Sequence, residues 1–348
     1  MSMYNHDFHH ERAFGMRRLA AWICLGFSLL VVVGAIVYSF QAGIIPGFAG
    51  RHPQLPSVPG FGSGNNSSPC TVSHSNGDET IYLSSGGQKR NFIVHLPPSY
   101  AQQALPLVVN YHGYDNTATR MEHYTNMGAE ADNEHFIVVF PQGGLDNAAP
   151  PKPSWNAGLG TSGPTAMDDD VQFTHDMLSY LQKNYCIDAQ RVYVTGYSIG
   201  ASMAYRVACE LSDQIAALAT VEGAFYHIPP NGCKASRPIP VLEIHGLADQ
   251  YAPYNGSPPK ISVQTFLNLW FAIDQCNTQV SSTIFQQADV TATKWPNCAR
   301  GTVIEHYKIS DGGHVWPGSA TPMPDLGYTT HTIDANVVIW NFFSAFKG

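Results

Sequence analysis

The sequence predicts an α/β fold with a mostly parallel central sheet and helices on both faces. The first observation behind this prediction is that strand patterns alternate with helical patterns from about residue 70 to the C-terminus, as they do where helices connect parallel strands. The second is a strand that turns directly into a helix at Gly-Tyr-Ser-Ile-Gly, residues 196–200. Sheets of this kind present reactive groups at the C-terminal ends of their strands.

Seven segments are predicted to be strands and five to be helices. The predicted strands are residues 91–96, 106–112, 136–140, 192–194, 216–221, 240–245 and 303–309. The predicted helices, with apolar residues at helical spacing, are residues 121–133, 169–183, 202–211, 263–273 and 334–346.

The N-terminal part of the chain is predicted to lie outside the folded domain. Residues 1–18 are mostly polar and end in two arginines, whereas residues 19–40 carry no charge. A helix of that length spans about 33 Å, enough to cross a bilayer. This predicts a cytoplasmic tail and an uncleaved membrane anchor; a long, cleaved signal peptide is the alternative. Residues 41–69, rich in Pro, Gly, Ser and Asn, are a predicted spacer before the domain at 70–348.

Charge and cysteine content narrow the class of protein. The net charge of −8 and the lack of a basic run argue against nucleic acid as a partner. No cysteine lies in a C-x-x-C motif or beside histidine at zinc spacing, so no metal site is predicted. Outside the apolar segment, which holds Cys24, the cysteines are even in number, which favours disulfides in an oxidising compartment. The predicted pairs are Cys276 with Cys298 and Cys209 with Cys233, which close short loops, and, by elimination, Cys70 with Cys186.

The Gly-x-Ser-x-Gly segment predicts a nucleophile elbow at Ser198. A strand that turns sharply into a helix holds the turn residue in a strained conformation. Gly196 and Gly200 let the flanking backbones approach without Cβ clashes. The positive end of the helix then lies beneath the serine hydroxyl. Ser198 is therefore the predicted nucleophile.

A serine hydroxyl needs a base to take its proton, and the base needs an acid to fix its tautomer. Behind such an elbow the acid and the histidine follow the serine in that chain order. Asp249 is the predicted acid because it comes just after a strand, whereas Glu243 lies within one. His314 is the predicted base because it also follows a strand, whereas no strand precedes His331.

Two backbone amides are predicted to form the oxyanion hole that an acyl-transfer intermediate requires. Ile199, directly after the nucleophile, supplies one. Tyr114 supplies the other, since Gly113 allows that turn to direct its amide inward. His112 and His245 each begin a His-Gly pair at a strand end and are expected to brace loops rather than to act in catalysis.

Trp155 and Trp316 are predicted to bind the acyl group of a substrate. Each belongs to a segment expected at the active-site face, and aromatic walls bind planar groups well. A structural alternative stays open for both: Trp155 fills the core, and Trp316 supports the loop of His314.

From about residue 70 to the C-terminus, the chain resembles the secreted polyhydroxybutyrate depolymerase and feruloyl esterase group of the first carbohydrate esterase family. The matching segments are Tyr-His-Gly at 111–113, Val-Phe-Pro-Gln-Gly at 139–143, Trp-Asn-Ala-Gly at 155–158, Cys-Ile-Asp at 186–188, the elbow at 192–200, Tyr-Arg-Val-Ala-Cys-Glu at 205–210, His-Gly at 245–246, Gly-Gly-His at 312–314 and Trp-Pro-Gly at 316–318. One departure is Leu159-Gly160, where many relatives have adjacent cysteines.

The resemblance implies an α/β-hydrolase catalytic domain over residues 70–348. It implies a carboxylic-ester hydrolase without a cofactor, in which Ser198, His314 and Asp249 form a triad that works through an acyl-enzyme. The expected substrate is a polyester or a plant cell-wall aromatic ester, met outside the cytoplasm by a membrane-anchored or secreted enzyme. Two alternatives stay open: a serine peptidase of the same fold and a catalytically silent, surface-anchored binding module.

Overall fold

The computed structural model describes residues 74–100, 103–161, 169–228 and 232–348. The strands in this part of the chain are β1 Gly77–Ser85, β2 Gln88–Leu96, β3 Leu105–Tyr111, β4 Ile137–Pro141, β5 Gly144–Leu145, β6 Pro153–Ser154, β7 Ile187–Gly196, β8 Ala217–Val221, β9 Val241–Gly246, β10 Ser282–Gln287, β11 Val290–Trp295 and β12 Ile304–Ile309. The α-helices are α1 Ala118–Thr125, α2 Met127–Glu134, α3 Asp170–Asn184, α4 Ile199–Glu210, α5 Val263–Ile273 and α6 Ala335–Phe343.

The main sheet has ten strands in the order β1-β2-β4-β3-β7-β8-β9-β12-β11-β10. Its six central strands, from β4 to β12 in that order, are parallel. The hairpins β1–β2 and β10–β11 add antiparallel strands at the two edges. The α/β class and the mostly parallel sheet are therefore as expected, and the sheet is mixed because antiparallel strands flank its parallel centre.

The edge strands escaped prediction because they lack the hydrophobic pattern of buried strands. β10 is exposed at almost every position, and β1 is exposed along much of its length. The turn of the first hairpin did carry a signal. Gly86 and Gly87 adopt φ angles of 57° and 80°, and a Gly-Gly pair between two strands is typical of a tight hairpin turn.

Helices cover both faces of the sheet and form one apolar core on each side. Side chains alternate along a strand, so Leu107 and Val109 of β3 pack in one core with residues of α3, α4 and α5. Val108, between them, belongs to the opposite core with residues of α1, α2 and α6. Burying each such side chain stabilises the fold by roughly 1.5–3 kcal/mol. The central strands are thus held rigidly from two sides.

The helix predicted at residues 121–133 is two helices. Asn126 separates α1 from α2 with a left-handed φ of 50°, a conformation that asparagine adopts more readily than most residues. A side chain caps the start of α3: Asp169 accepts hydrogen bonds from the amides of Val171 and Gln172.

Two of the predicted disulfides are present, Cys209–Cys233 and Cys276–Cys298. Cys186 is also disulfide-bonded, but its predicted partner Cys70 lies outside the described residues. The predicted tail, anchor and spacer, residues 1–69, lie outside them as well. In the part of the chain that the structure describes, no helix combines the length and apolar character needed to cross a membrane. The anchor remains a prediction.

Candidate active site

Ser198 occupies a sharp turn between β7 and α4. Its backbone has φ 58° and ψ −122°, a combination that costs a side-chain-bearing residue conformational energy. Glycine is required on both sides: a Cβ at Gly196 would overlap the Gly200 carbonyl, and one at Gly200 would overlap the Tyr111 carbonyl oxygen. The tight approach of β3, β7 and α4 leaves the serine at the tip of the turn.

The structure brings the three predicted triad residues together. His314 Nε2 lies 2.8 Å from Ser198 Oγ, and His314 Nδ1 lies 2.6 Å from Asp249 Oδ2. The second carboxylate oxygen, Asp249 Oδ1, accepts hydrogen bonds from the amides of Tyr251 at 2.7 Å and Ala252 at 2.8 Å. Every carboxylate oxygen of the acid thus has a partner that fixes its position.

Two loops at the C-terminal ends of neighbouring parallel strands carry the acid and the histidine. Asp249 follows β9 and His314 follows β12, and these strands are parallel neighbours. The loops touch through glycines, because a Cβ on Gly246 would overlap the backbone of Gly312. The amide of Ala248 also donates to the carbonyl of Gly312 at 3.0 Å. Parallel pairing and close glycine contact therefore place acid and base side by side.

Asp249 is held in its ionised form. Burial raises the pKa of its carboxyl group, but the hydrogen bond and charge of His314, the Ala252 amide and the charge of His245 outweigh burial and lower the pKa to about 2. An ionised Asp249 requires the Nδ1 proton of His314. The free lone pair of that imidazole is then on Nε2, facing the Ser198 hydroxyl.

Two tyrosine rings that sequence reasoning missed hold His314 in place. Tyr197 donates its hydroxyl proton to the His314 carbonyl oxygen, and the two rings lie 5.0 Å apart. On another side, the Tyr251 ring stacks on the imidazole at 5.5 Å with an interplanar angle of 29°. Tyr197 directly precedes Ser198, and Tyr251 lies two positions after Asp249. Their closeness in sequence to predicted triad residues could have identified both as neighbours of the site.

The predicted oxyanion donors face the same space as the serine. Ile199, Tyr114 and Ser198 all line one pocket. A Cβ at Gly113 would stand only 3.5 Å from the Ser198 Cβ, so this turn lies directly against the elbow. Within the described residues, neither the Ile199 nor the Tyr114 amide donates a hydrogen bond. Both N–H groups are thus available to a substrate oxygen.

The pocket has a volume of about 710 Å³, suited to a small organic ligand. Its aromatic lining consists of tyrosines: Tyr114, Tyr124, Tyr197, Tyr226 and Tyr251. Its basic lining consists of Arg120, His123 and Lys260.

Trp155 and Trp316 do not line this pocket, so the prediction that they bind substrate is wrong. Both side chains are fully buried. Trp155 donates from Nε1 to the His112 carbonyl at 2.8 Å and packs edge-on against Tyr111. Trp316 donates from Nε1 to Asn336 Oδ1 at 3.2 Å. The structural alternative holds for both: they are core residues behind the active-site loops.

His112 has the bracing role expected for it. It is buried, its Nδ1 lies 2.7 Å from the Gly113 carbonyl, and its Nε2 accepts from the Gly143 amide at 2.9 Å. Burial lowers the pKa of the imidazole to about 4, so the ring is neutral. It fixes the turn that presents the Tyr114 amide.

A cluster of buried titratable groups lies behind Asp249, and sequence reasoning missed most of it. Its members are Glu222, Glu243, His245 and His306. Glu243 and His245 are two positions apart on β9 and share a face in a strand that is otherwise apolar. Two ionisable residues on one face of a buried strand were the available signal.

Residues 90–236 match the protein family described as Esterase PHB depolymerase. Among curated proteins, the bifunctional acetylxylan esterase/xylanase XynS20E of Neocallimastix patriciarum is 29% identical over 269 residues, which is 75% of this chain and 36% of that protein. Feruloyl esterase B of Piromyces equi is 29% identical over 239 residues, 65% of this chain and 42% of that protein. The chain thus spans less than half the length of these two relatives.

Among solved structures, the acetyl xylan esterase from Aspergillus awamori matches with a TM-score of 0.53 at 14% identity, covering 76% of this chain and 99% of the other. At that identity the likeness concerns the fold, and it agrees with the α/β architecture described above. The sequence match over residues 90–236 contains the β3 turn, the Ser198 elbow and α4. Over residues 90–236 the chain is therefore similar to the Esterase PHB depolymerase family.

Proposed function

We propose that this protein is a carboxylic-ester hydrolase of the α/β-hydrolase fold that acts through Ser198, His314 and Asp249. The observation that carries the proposal is the hydrogen-bonded row from Asp249 through His314 to Ser198, with spacings of 2.6 and 2.8 Å, at the wall of a pocket. Relatives named as acetylxylan and feruloyl esterases support the same chemistry.

The geometry suits a two-step reaction through an acyl-enzyme. Ser198 Oγ attacks the ester carbonyl carbon while His314 Nε2 takes the hydroxyl proton. The negative oxygen of the tetrahedral intermediate accepts from the Ile199 and Tyr114 amides. The C–O bond to the alcohol then breaks, and His314 returns the proton to the leaving alcohol. In the second step His314 Nε2 takes a proton from a water molecule whose oxygen attacks the acyl carbon. The bond from that carbon to Ser198 Oγ then breaks, His314 returns the proton to Ser198 Oγ, and the acid leaves.

The lining of the pocket supports two substrate classes. Five tyrosines favour an aromatic acyl group, as the names of the feruloyl esterases suggest. The basic side chains favour an ester that also carries a negative group. Arg120 and His123 make no ion pair or hydrogen bond through their side chains to any described residue, and the pocket's acidic Asp115 is paired with Lys152 at 2.6 Å. An oligomer of a hydroxyalkanoate, with its terminal carboxylate, has that charge.

The enzyme is proposed to act outside the cytoplasm. The disulfides Cys209–Cys233 and Cys276–Cys298 support this location, because such bonds persist in oxidising compartments. Residues 19–40 would then anchor the protein in the membrane, or be removed from a secreted form.

The test combines fluorophosphonate labelling with a panel of short-acyl, feruloyl and hydroxyalkanoate oligomer esters. Ser198→Ala removes the nucleophile and should lower kcat on the order of a thousandfold or more and abolish labelling. Ser282→Ala, an exposed serine on the distant edge strand β10, is the matched control and should keep both. Near-normal kcat in Ser198→Ala would exclude the proposed mechanism. Cleavage of peptides alone would point to a peptidase, and neither labelling nor cleavage to a binding module.

A further inference from the structure

We propose that His245 is a positioning residue for the triad: a buried imidazolium that fixes the loop of Asp249 and places a positive charge against its carboxylate. This inference rests on the proposed function for the reaction it tunes. It assigns a role to a residue that touches neither the pocket nor the Ser198 hydroxyl, and so goes beyond the triad itself.

The hydrogen-bond partners of His245 define where its protons are. The ring is fully buried at the end of β9. Its Nε2 lies 2.8 Å from the Ala252 carbonyl oxygen, and a carbonyl can only accept, so Nε2 must carry a proton. Its Nδ1 lies 3.0 Å from Glu243 Oε1, the arrangement of an imidazolium donating to a carboxylate.

The bond to Ala252 connects His245 to the loop that holds the acid. The Ala252 carbonyl accepts from His245, and the Ala252 amide donates to Asp249 Oδ1 at 2.8 Å. Ala252 is thus hydrogen-bonded through both its carbonyl and its amide. Loss of the His245 donor would release the carbonyl side and loosen the position of the Asp249 carboxylate.

The charge of His245 acts directly on the same carboxylate. His245 Nε2 lies 3.6 Å from Asp249 Oδ2, the oxygen that also receives the His314 Nδ1 proton. Burial lowers the pKa of His245, but the negative groups of Glu222, Glu243 and Asp249 outweigh burial and raise it to about 10. The ring is therefore charged at neutral pH, and its charge is unscreened by solvent.

Each element packed around His245 contributes a titratable group. From β9, Glu243 accepts from the ring, and although burial raises its pKa, His306 and His245 lower it overall, so it is ionised. From the turn after β8, Glu222 lies 3.6 Å from Nε2. Burial raises the pKa of Glu222 well above its usual range, and its two carboxyl oxygens accept from the Gly246 amide at 2.9 and 3.0 Å.

The outer side of the cluster is closed by β12 and a neighbouring loop. His306 Nδ1 lies 2.7 Å from Glu243 Oε2, and the Tyr254 hydroxyl lies 2.9 Å from His306 Nε2. One positive His245 therefore sits between two ionised carboxylates, Glu243 and Asp249. The positive charge of His245 offsets part of the cost of burying the carboxyl groups of Glu222, Glu243 and Asp249 in one cluster.

A metal ion is the competing explanation for these groups. Glu222, His245 and Asp249 offer ligand atoms within 4.8 Å of one another. The nitrogen that faces both carboxylates is Nε2, and its proton is committed to the Ala252 carbonyl. A protonated nitrogen has no lone pair for a metal, so the geometry favours the imidazolium.

The test is the pH dependence of kcat/KM on a short-acyl ester for His245→Gln. Glutamine keeps a hydrogen-bond donor but removes the charge, and loss of a buried cation favours protonation of the triad. The acid limb of the profile, where kcat/KM falls as the pH is lowered, should therefore move to higher pH by about 1 unit. KM should change little. His112→Gln is the matched control, since it also removes a buried histidine from a His-Gly strand end; it should lower stability and kcat without moving the acid limb.

An acid limb that stays in place in a folded His245→Gln enzyme would overturn the proposal, as would activity lost to EDTA and restored by a metal. If His245→Gln does not fold, ¹⁵N spectra of the wild-type histidines decide instead. One buried ring with protons on both nitrogens at pH 8 is expected, and neutral rings throughout would contradict it. A wild-type protein that cleaves no ester would refute the proposed function while leaving this spectrum interpretable.

Discussion

Gly246 and Gly312 lie in direct backbone contact, and through them the loop of the acid meets the loop of the base. The contact joins the ends of β9 and β12. A Cβ at Gly312 would stand 2.9 Å from the Gly246 Cα and 2.8 Å from the Ile309 Cγ2. No ordinary side chain fits either position without moving one loop away from the other.

We expect Gly312→Ala to damage activity more than stability. Overpacking of this kind costs roughly 1–3 kcal/mol, whereas a displacement of His314 by about 1 Å costs on the order of a hundredfold in rate. Thermal unfolding and kcat measured on the same preparation check this. Gly128→Ala, whose Cβ would have the His95 ring as its nearest neighbour at 3.3 Å, is the control and should keep full activity. Unchanged kcat in Gly312→Ala would show that the loops tolerate separation.

Trp155→Phe should destabilise the protein without changing acyl preference. Phenylalanine keeps most of the packing but leaves the buried His112 carbonyl without its donor, at a cost of about 1–3 kcal/mol. The values of kcat/KM for feruloyl and acetyl esters should fall by the same factor, because the indole does not reach the pocket. A selective loss on the feruloyl ester would restore Trp155 to the substrate site.

Tyr251 is the aromatic side chain expected to set acyl preference. About half of its surface is exposed, it lines the pocket, and its ring stacks on His314. Tyr251→Ala should lower kcat/KM for a feruloyl ester by about 2- to 12-fold more than for an acetyl ester, the range that corresponds to stacking energies of 0.5–1.5 kcal/mol. Tyr251→Phe keeps the ring and serves as the control. Equal losses on both esters in Tyr251→Ala would place the acyl contact elsewhere.

Asp274 should make the protein less stable as the pH rises. This carboxyl group is fully buried at the end of α5, and burial raises its pKa to about 7. Because the folded state favours the protonated form, its stability falls as pH rises from near the ordinary carboxyl range to about 7. Asp274→Asn keeps the acceptor for the Ile239 amide and should raise Tm by about 3 °C or more at pH 8, and by less at pH 4. An equal change at both pH values would contradict the assignment.

Local sequence was enough to predict what depends on local backbone geometry. Ser198 was identifiable because Gly196 and Gly200 are needed wherever a strand turns at once into a helix. Asp249 and His314 were identifiable because each follows a buried strand, and neighbouring parallel strands deliver their C-terminal ends to one edge.

What depends on packing between distant segments was not predictable in the same way. Trp155 lies in a Gly-flanked loop as a pocket residue would, but its burial is decided by contacts with Tyr111, the last residue of β3, and with His112, which follows it. The edge strand β10 is mostly polar and exposed, and it is a strand because β11 supplies its hydrogen bonds. The partners of His245 come from three separate segments: β9, the loop that follows it and the turn after β8.

The triad is assembled from positions far apart in the chain. Ser198 and His314 are separated by 116 positions, and Asp249 and His314 by 65. The base arrives only when β12 has joined the parallel centre of the sheet, and such long-range pairing is a late event in folding. A nascent chain therefore exposes a serine with no means of activation until nearly all of the domain has been synthesised. The activity proposed for Ser198 therefore has to wait for the completed fold.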